Sequence, residues 1–367
     1  MNGGLTRRRL LGSGGALLGG SAVLAGVQTV GMSPAVAASR HETEPFAIGN
    51  VQLQRVHNDE NLLPDREHAG FGCLLYDSAG EIVLHEGDKT WLYTTGLFEA
   101  PTGGERDWYG KWVSHVREFN TRSLVSGEKK LTLGLAEGDQ WAVIHNVIKV
   151  NDGFYVAFYS TNVGVRAAVA DRPDGLFEAV PDFQLTVTDT WEDEGGQEDS
   201  LESNGGHVKI DESDDHLSLW LIYDSYHVDK TSGLLGWARI EIDKHSRDVE
   251  LIEKHPNNPL NVLPRKSYIA ARAGGNLPTD LRLDGKYVLF YYTRRNPHRM
   301  WLTAALSSDP LFQDVTDVVK FESPLGTEEV IEKFEAYMLD DVLHIIYENR
   351  LESGHWGTGI RLYEFVE

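Results

Sequence analysis

Apolar and polar positions alternate along most of this chain, in short runs broken by polar turns. Asn151-Asp152-Gly153 is one such turn, with the apolar run Ala142–Val150 before it and the aromatic/aliphatic run Phe154–Ser160 after it. A D-G or D-D turn between runs of period two predicts a hairpin, because the turn residues reverse the backbone while the pleat sends alternate side chains to one face. The phrase returns at Leu283–Thr293 and Leu339–Glu348, and more loosely at Glu86–Thr94 and Asp214–Asp224. Aligned on Tyr93, Tyr159, Tyr223, Tyr292 and Tyr347, the copies step by 66, 64, 69 and 55 residues. Helical periodicity is scarce, and only Glu328–Lys333 offers a turn or two. Five near-regular units of this size predict an all-β fold, a five-bladed β-propeller with four-stranded antiparallel blades.

The pattern also places the strands. Unit one is expected over Gly70–Tyr76, the turn Asp77–Gly80, Glu81–His85 and Thr90–Thr95, followed by an aromatic, Gly-rich excursion from Leu97 to Trp112. Unit two holds Trp141–Val150, Phe154–Ser160 and Val165–Ala170. Unit three opens after the acidic loop Trp191–Leu201, with His207–Ile210, Leu217–Asp224 and Leu234–Ile242. Unit four runs from about Tyr268 through Tyr287–Thr293 and Met300–Ser307. Unit five has Phe334–Leu339, Val342–Glu348 and Gly359–Val366. A short strand within Ala47–Val56 would close the ring by joining the last blade.

The first 37 residues read differently. Arg7-Arg8-Arg9 precedes an apolar, Gly/Ala-rich stretch from Leu10 to about Val30, which ends at the small-residue site Ala35-Val36-Ala37. This predicts a twin-arginine-type signal peptide over 1–37, an extracytoplasmic destination, and one propeller domain over 38–367. No later stretch approaches the ~18 apolar residues that span a bilayer, so no membrane partner is expected once the signal is removed. The chain carries a formal charge of −22, and losing the three arginines makes the mature surface more acidic still. Such a surface repels nucleic acid and anionic lipid. Cys73, the single cysteine, lies in an apolar run and reads as a small core hydrophobe without a disulfide partner. Zinc-finger, H-E-x-x-H and nucleotide-binding motifs are absent from the sequence.

In a propeller the first strand of each blade starts near the central channel, so polar residues at those starts converge. Here these positions hold Glu67 with His68, His145, Glu202 with Asn204 and His207, Arg272 with Asn276, and Glu332 with Glu335. Carboxylates arriving from different blades suit glycoside hydrolysis, which needs one carboxylic acid to protonate the leaving oxygen and a second carboxylate to activate water or attack the sugar. Trp108, Trp112 and Trp191 in loops are candidates to stack on sugar rings.

At this point the chain resembles a family, the five-bladed glycoside hydrolases of the arabinanase, xylosidase and fructofuranosidase type. Ala170–Glu178 and Leu306–Phe312 are similar to that family's A-x-S-D-x-P-x-G-P-F phrase, and Glu202–Lys209 resembles its E-G-P-H-I-x-K phrase with two extra residues between Glu202 and His207. The resemblance implies that Glu202 is the general acid. It implies a base at the start of the first blade, where Glu67 stands with Asp65 two residues earlier; Asp77 is a rival, although Asp77–Gly80 makes a better hairpin turn. The family's second-blade aspartate, which tunes the acid, has no clear equivalent, and His145 stands in its place. The implied substrate-binding set is His68, His145, Asn204, His207, Arg272, Asn276, Glu332 and Trp108. A carbohydrate substrate, no cofactor and a monomer are expected. Two other readings are a non-catalytic sugar-binding propeller, and a propeller whose His and carboxylate set holds a divalent cation for structure or for lyase chemistry.

Overall fold

Turn chemistry and strand alternation meet where the sequence pattern places them. A computed structural model of the chain describes residues 45–59, 62–63, 69–99, 111–192, 199–227, 234–262, 270–272, 282–283, 285–296, 299–322, 331–350 and 356–366. Among these residues every regular element is a strand. The repeat turns adopt the left-handed backbone a tight hairpin requires: φ is +85° at Gly153, +71° at Gly285, and +50° and +61° at Asp340 and Asp341.

The strands fall into successive groups. The short β1 (Phe46–Ile48) and β2 (Val51–Asp59) come first, then β3 (Ala69–Asp77), β4 (Lys89–Glu99) and β5 (Lys111–Asn120), with β6 (Val125–Ser126) and β7 (Lys130–Leu133) both paired to β5. Next are β8 (Val143–Asn151), β9 (Phe154–Thr161), β10 (Gly164–Ala170) and β11 (Glu178–Ala179), followed by β12 (Asp199–Glu212), β13 (His216–His227), β14 (Leu235–Asp243) and β15 (Val249–Lys254). The chain continues through β16 (Ala270–Arg272), β17 (Arg282–Leu283), β18 (Lys286–Asn296), β19 (Arg299–Ser307) and β20 (Val315–Glu322), and ends in β21 (Ile331–Leu339), β22 (Val342–Arg350) and β23 (Trp356–Val366). Each group is antiparallel. The expected closing strand exists as β2, which pairs with β23 in the order β1-β2-β23-β22-β21. A parallel contact, Leu75 opposite Val147, joins β3 to β8. Strand β8 also packs on β12, and β21 on β3, so the first strands of these groups stand side by side.

Burial follows from that arrangement. A strand covered on both faces has no solvent side, and β9 is buried along its whole length. The apolar residues pack between neighbouring groups: Ile148, Val156 and Phe158 meet Leu217, Leu219 and Tyr223 in one cluster. Cys73 is fully buried, as expected of a core hydrophobe.

The repeat tyrosines mark a common structural level. Tyr93, Tyr159, Tyr223, Tyr292 and Tyr347 lie on β4, β9, β13, β18 and β22, the strand paired to the first strand of each group. At this level the first strand bulges in four of the groups, with register slips at Phe71/Cys73, Ile144/Asn146, Ser203/His207 and Glu332/Phe334. Gly72 is the extra residue on β3, and a Cβ there would sit 2.5 Å from the Ile144 carbonyl oxygen and 2.8 Å from that of Tyr93. Only glycine lets the three backbones approach so closely.

The two repeated Asp-Pro phrases are staples between groups. In the first, Tyr93 Oη donates to the Pro173 carbonyl at 2.9 Å, Thr132 Oγ1 donates to that of Gly175 at 2.7 Å, and Phe177 meets the Tyr93 ring edge-on. In the second, Trp237 Nε1 donates to the Leu311 carbonyl at 2.8 Å beside the buried Phe312.

Three sequence expectations need correction. Strand β5 begins at Lys111, inside the excursion expected to run to Trp112, and the outer strands β15 and β20 went unrecognised. Residues 331–333, the end of the expected helical turn, belong to strand β21, where pairing with β22 outweighs local helical preference; residues 328–330 lie outside the described residues.

Glu335 on β21 crosses the seam to the first group rather than facing a channel mouth. Its Oε2 accepts the Leu74 N–H at 2.7 Å, and the carboxyl is 1% exposed. Burial pushes its pKa well above the usual carboxylate range, against the opposing effects of the Tyr76 hydroxyl and the Leu74 N–H. The folded state therefore keeps this proton to higher pH than the unfolded chain. The resulting stability is complete below the unfolded carboxyl value of about 4.3 and is lost as pH rises through the raised folded value. Glu335→Gln retains an acceptor for Leu74 but no titration. In urea unfolding, the variant should gain on the parent as pH rises above about 4, where the unfolded carboxyl ionises; a difference independent of pH would refute this.

Candidate functional site

Because β3 and β8 run parallel in register, their starts lie at one end of the sheet. At the corresponding start of β12 stands Glu202, 8% exposed, directly opposite Asp224 on β13, which is 1% exposed. The register places both side chains on one face, with Cβ atoms about 5 Å apart. Ser203 still pairs with Tyr223, but pairing resumes only at His207 with Leu221, so Asn204, Gly205 and Gly206 form a wide bulge. The two extra residues recognised in the Glu202–Lys209 phrase are this bulge. It bends the strand just beyond Glu202, as bulges do where a side chain is re-aimed.

His207 lies beneath. It is fully buried, its Nε2 sits 3.0 Å from the Asp77 carbonyl oxygen, and its Nδ1 sits 3.4 Å from Asn146 Nδ2. The carbonyl can only accept and the amide nitrogen can only donate, so the ring is neutral with its proton on Nε2. Burial lowers its pKa to about 4, ahead of the opposing Asp77 carbonyl. His207 thus ties β12 to β3 and β8 from inside the packed sheet, and the substrate contact expected of it is replaced by a bracing one.

That burial has a measurable cost in acid. The unfolded chain takes up the proton near pH 6.5 and the folded chain only near pH 4. Stability is complete above about 6.5 and falls as pH drops towards 4, by about 3 kcal/mol for a shift of this size. His344, buried against Tyr337 and also lowered to about 4, adds a loss of the same sign. His207→Asn should be weaker than the parent at neutral pH but lose less between about 6.5 and about 4 in denaturant titrations; parallel curves would argue against it.

His145 is the extra residue of the β8 bulge and is 4% exposed. Its strand is held by Ser114, whose Oγ donates to the Ala142 carbonyl and accepts the Ile144 N–H, each at 2.9 Å. Glu332 on β21 pairs with Glu348, one step past Tyr347, just as Glu202 pairs one step past Tyr223. Arg272 on β16 pairs with Tyr292. Asp65, Glu67, His68, Trp108 and Asn276 lie outside the described residues. The turn assigned to Asp77 is present: its Oδ1 accepts the Ala79 N–H at 2.9 Å and the Glu81 N–H at 3.0 Å.

The acidic loop before β12 is not simply solvated. Glu192 is fully buried, accepting from Tyr223 Oη at 2.7 Å and from the Thr188 and Asp189 N–H groups, and it pairs with Lys254. Trp191 packs on the Tyr223 ring at 5.9 Å, partly buried against the core cluster. Asp224, Asn146 and Glu192 escaped the sequence reading. Asp224 alone left a signal: one step past the repeat tyrosine, Thr94, Ser160 and Thr293 carry hydroxyls where Asp224 and Glu348 carry carboxylates. Among the described residues, no three His, Cys, Asp or Glu side chains gather as a metal site.

No protein-family profile and no curated protein matches the sequence. Solved structures do match. One described as a glycoside hydrolase aligns with a TM-score of 0.54 at 14% identity, over 82% of this chain and 88% of that one. Another, a complex of BT0996 with RGII, aligns with the same TM-score and identity over 82% of this chain and 90% of that one. At such identity the likeness is one of fold, and in fold this chain is built as that glycoside hydrolase is.

Proposed function

We propose that this chain is an exported glycoside hydrolase, a five-bladed propeller that cleaves a poly- or oligosaccharide. The observation that carries the reading is Glu202: a carboxyl nearly withdrawn from water, at the start of a blade's first strand, beside a bulge that bends the backbone under it. A carboxylic acid in such a place protonates a leaving glycosidic oxygen, which needs a proton donor in a site that excludes bulk water. Glu67 or Asp65, immediately ahead of β3, supplies the second carboxylate as base or nucleophile. Residues 1–37 act as the twin-arginine-type signal, the mature chain is a monomer over 38–367, and the substrate is neutral enough to approach an acidic surface.

A second reading is a sugar-binding propeller without turnover, favoured by His145 standing where the family's tuning aspartate belongs. The mature protein, incubated with plant, algal and microbial glycans, decides between them by released reducing sugar. Release from any of them supports the hydrolase. Saturable binding with no release would replace it by the binding propeller.

A further inference from the structure

The bulge beside Glu202 is the widest of the four. On β3, β8 and β21 one extra residue stands at the slip, Gly72, His145 and Lys333, whereas on β12 Asn204, Gly205 and Gly206 together face Ile222 alone. Two of the three are glycines, which restrain the backbone least. A strand so interrupted can slide, and a slip of one residue would turn Glu202 to the opposite face of the sheet. The register therefore has to be held on both sides of the gap. On one side His207 holds it, through the Asp77 carbonyl. On the other, the last rung before the gap is Ser203 with Tyr223.

Tyr223 is fastened more heavily than its counterparts. The hydroxyls of Tyr93 and Tyr347 donate to neutral acceptors, the Pro173 carbonyl at 2.9 Å and the Asn58 amide oxygen at 3.1 Å. Tyr223 donates instead to Oε1 of the fully buried Glu192 at 2.7 Å, and accepts from Asn258 Nδ2 at 3.2 Å. Oε2 of Glu192 accepts the Thr188 and Asp189 N–H groups and pairs with Lys254, whose ammonium also donates to Thr188 Oγ1 at 2.8 Å and the Thr186 carbonyl at 2.9 Å. Withdrawing a carboxylate and an ammonium from water is costly, and the neutral acceptors of the other groups show that a staple alone does not require it. We infer that Glu192 and Lys254 are positioning residues for Glu202: through Tyr223 they pin the rung beside the bulge, so that Glu202 keeps its face and its height; this rests on the glycosidase reading. Their action is on backbone register. Tyr223 and Glu202 belong to adjacent rungs, whose side chains point to opposite faces of the sheet.

Amide hydrogen exchange on the full chain reads the pin, and kinetics read its use. Tyr223→Phe cuts the hydroxyl from Glu192 and leaves the Glu192–Lys254 pair whole. In this variant exchange over residues 199–208 should quicken by about tenfold, while β18 and β19 keep the rates of the parent. On a natural glycan kcat should fall by about tenfold with KM little changed. On an aryl glycoside with an acidic phenol, which departs without a proton, the loss should shrink towards none. Unchanged exchange overturns the inference however well the protein cleaves glycan. Equal losses on both substrates also overturn it, as does quickened exchange with glycan cleavage intact. Quickened exchange where the parent itself cleaves nothing upholds the pin and removes the hydrolase reading. Should Tyr223→Phe fail to fold, Glu192→Gln serves instead: it keeps an acceptor for the hydroxyl but removes the charge that strengthens the bond, so the same pattern must appear in smaller measure, and its absence refutes the pin.

Discussion

Glu202→Gln is expected to lower cleavage of a natural glycan by about 10²–10⁴-fold, the contribution typical of a positioned general acid. The amide has the shape of the acid it replaces and can sit in the same bulged strand, so the fold should survive, as far-ultraviolet circular dichroism would show. On the hydrolase reading, what is lost is the proton for the leaving oxygen. That loss has a signature beyond mere inactivity. An aryl glycoside with an acidic phenol as leaving group departs without protonation, so on it the variant should approach the parent. Equal losses on both kinds of substrate would mean that Glu202 organises the site rather than donating to it. Unchanged glycan cleavage would remove it from the chemistry.

Trp237→Ala is expected to destabilise the protein by about 3–5 kcal/mol, the range for truncating a large buried aromatic. Trp237 is fully buried among Leu260, Val262, Leu289, Tyr291 and Phe312, and thus fills the seam between the β12–β15 group and the β16–β20 group. Its indole N–H also satisfies the Leu311 carbonyl, which the alanine would leave without that donor. At about 2.1 cal/mol/K of unfolding entropy per residue, the chain should lose roughly 5 °C in Tm. Trp237→Phe keeps most of the packing and drops only the hydrogen bond, worth about 1 kcal/mol. Calorimetry on the pair separates the two contributions. A Tm change below about one degree in the alanine variant would mean that the groups do not stabilise each other through this seam.

The period of the chain was legible because turns and strands are local. Asp-Gly and Asp-Asp turns need a left-handed backbone, and Gly153, Gly285, Asp340 and Asp341 adopt it. The five tyrosines aligned by sequence do occupy one structural level, although what makes that level special, the bulges opposite four of them, depends on a partner strand and is invisible in any single run. Outer strands β15 and β20 were missed for a related reason: half-exposed edge strands such as Val249–Lys254 alternate with charge and read as polar loop. The site was legible only in part. Glu202 stood out through its phrase, and the glycine pair signalled irregular backbone. Asp224 is read as the end of an apolar strand until its cross-strand neighbour is known. His207 resembled a pocket residue because its sequence neighbours are glycines, whereas its spatial neighbours, the Asp77 carbonyl and Asn146, come from elsewhere in the chain.

The pairing of β2 with β23 has a temporal side. Gln52 lies opposite Val366 and Asp59 opposite Ile360, so the sheet that holds β21, β22 and β23 is completed by a strand from far earlier in the sequence. During synthesis β2 must wait, unpaired along that edge, until β23 has been made. Contacts of such long sequence separation form slowly, after the local hairpins. The last sheet is therefore a clasp rather than a nucleus. A chain truncated within β23 would keep its hairpins while leaving β2 as an open edge, the state in which a protein of this kind is most exposed to aggregation and proteolysis.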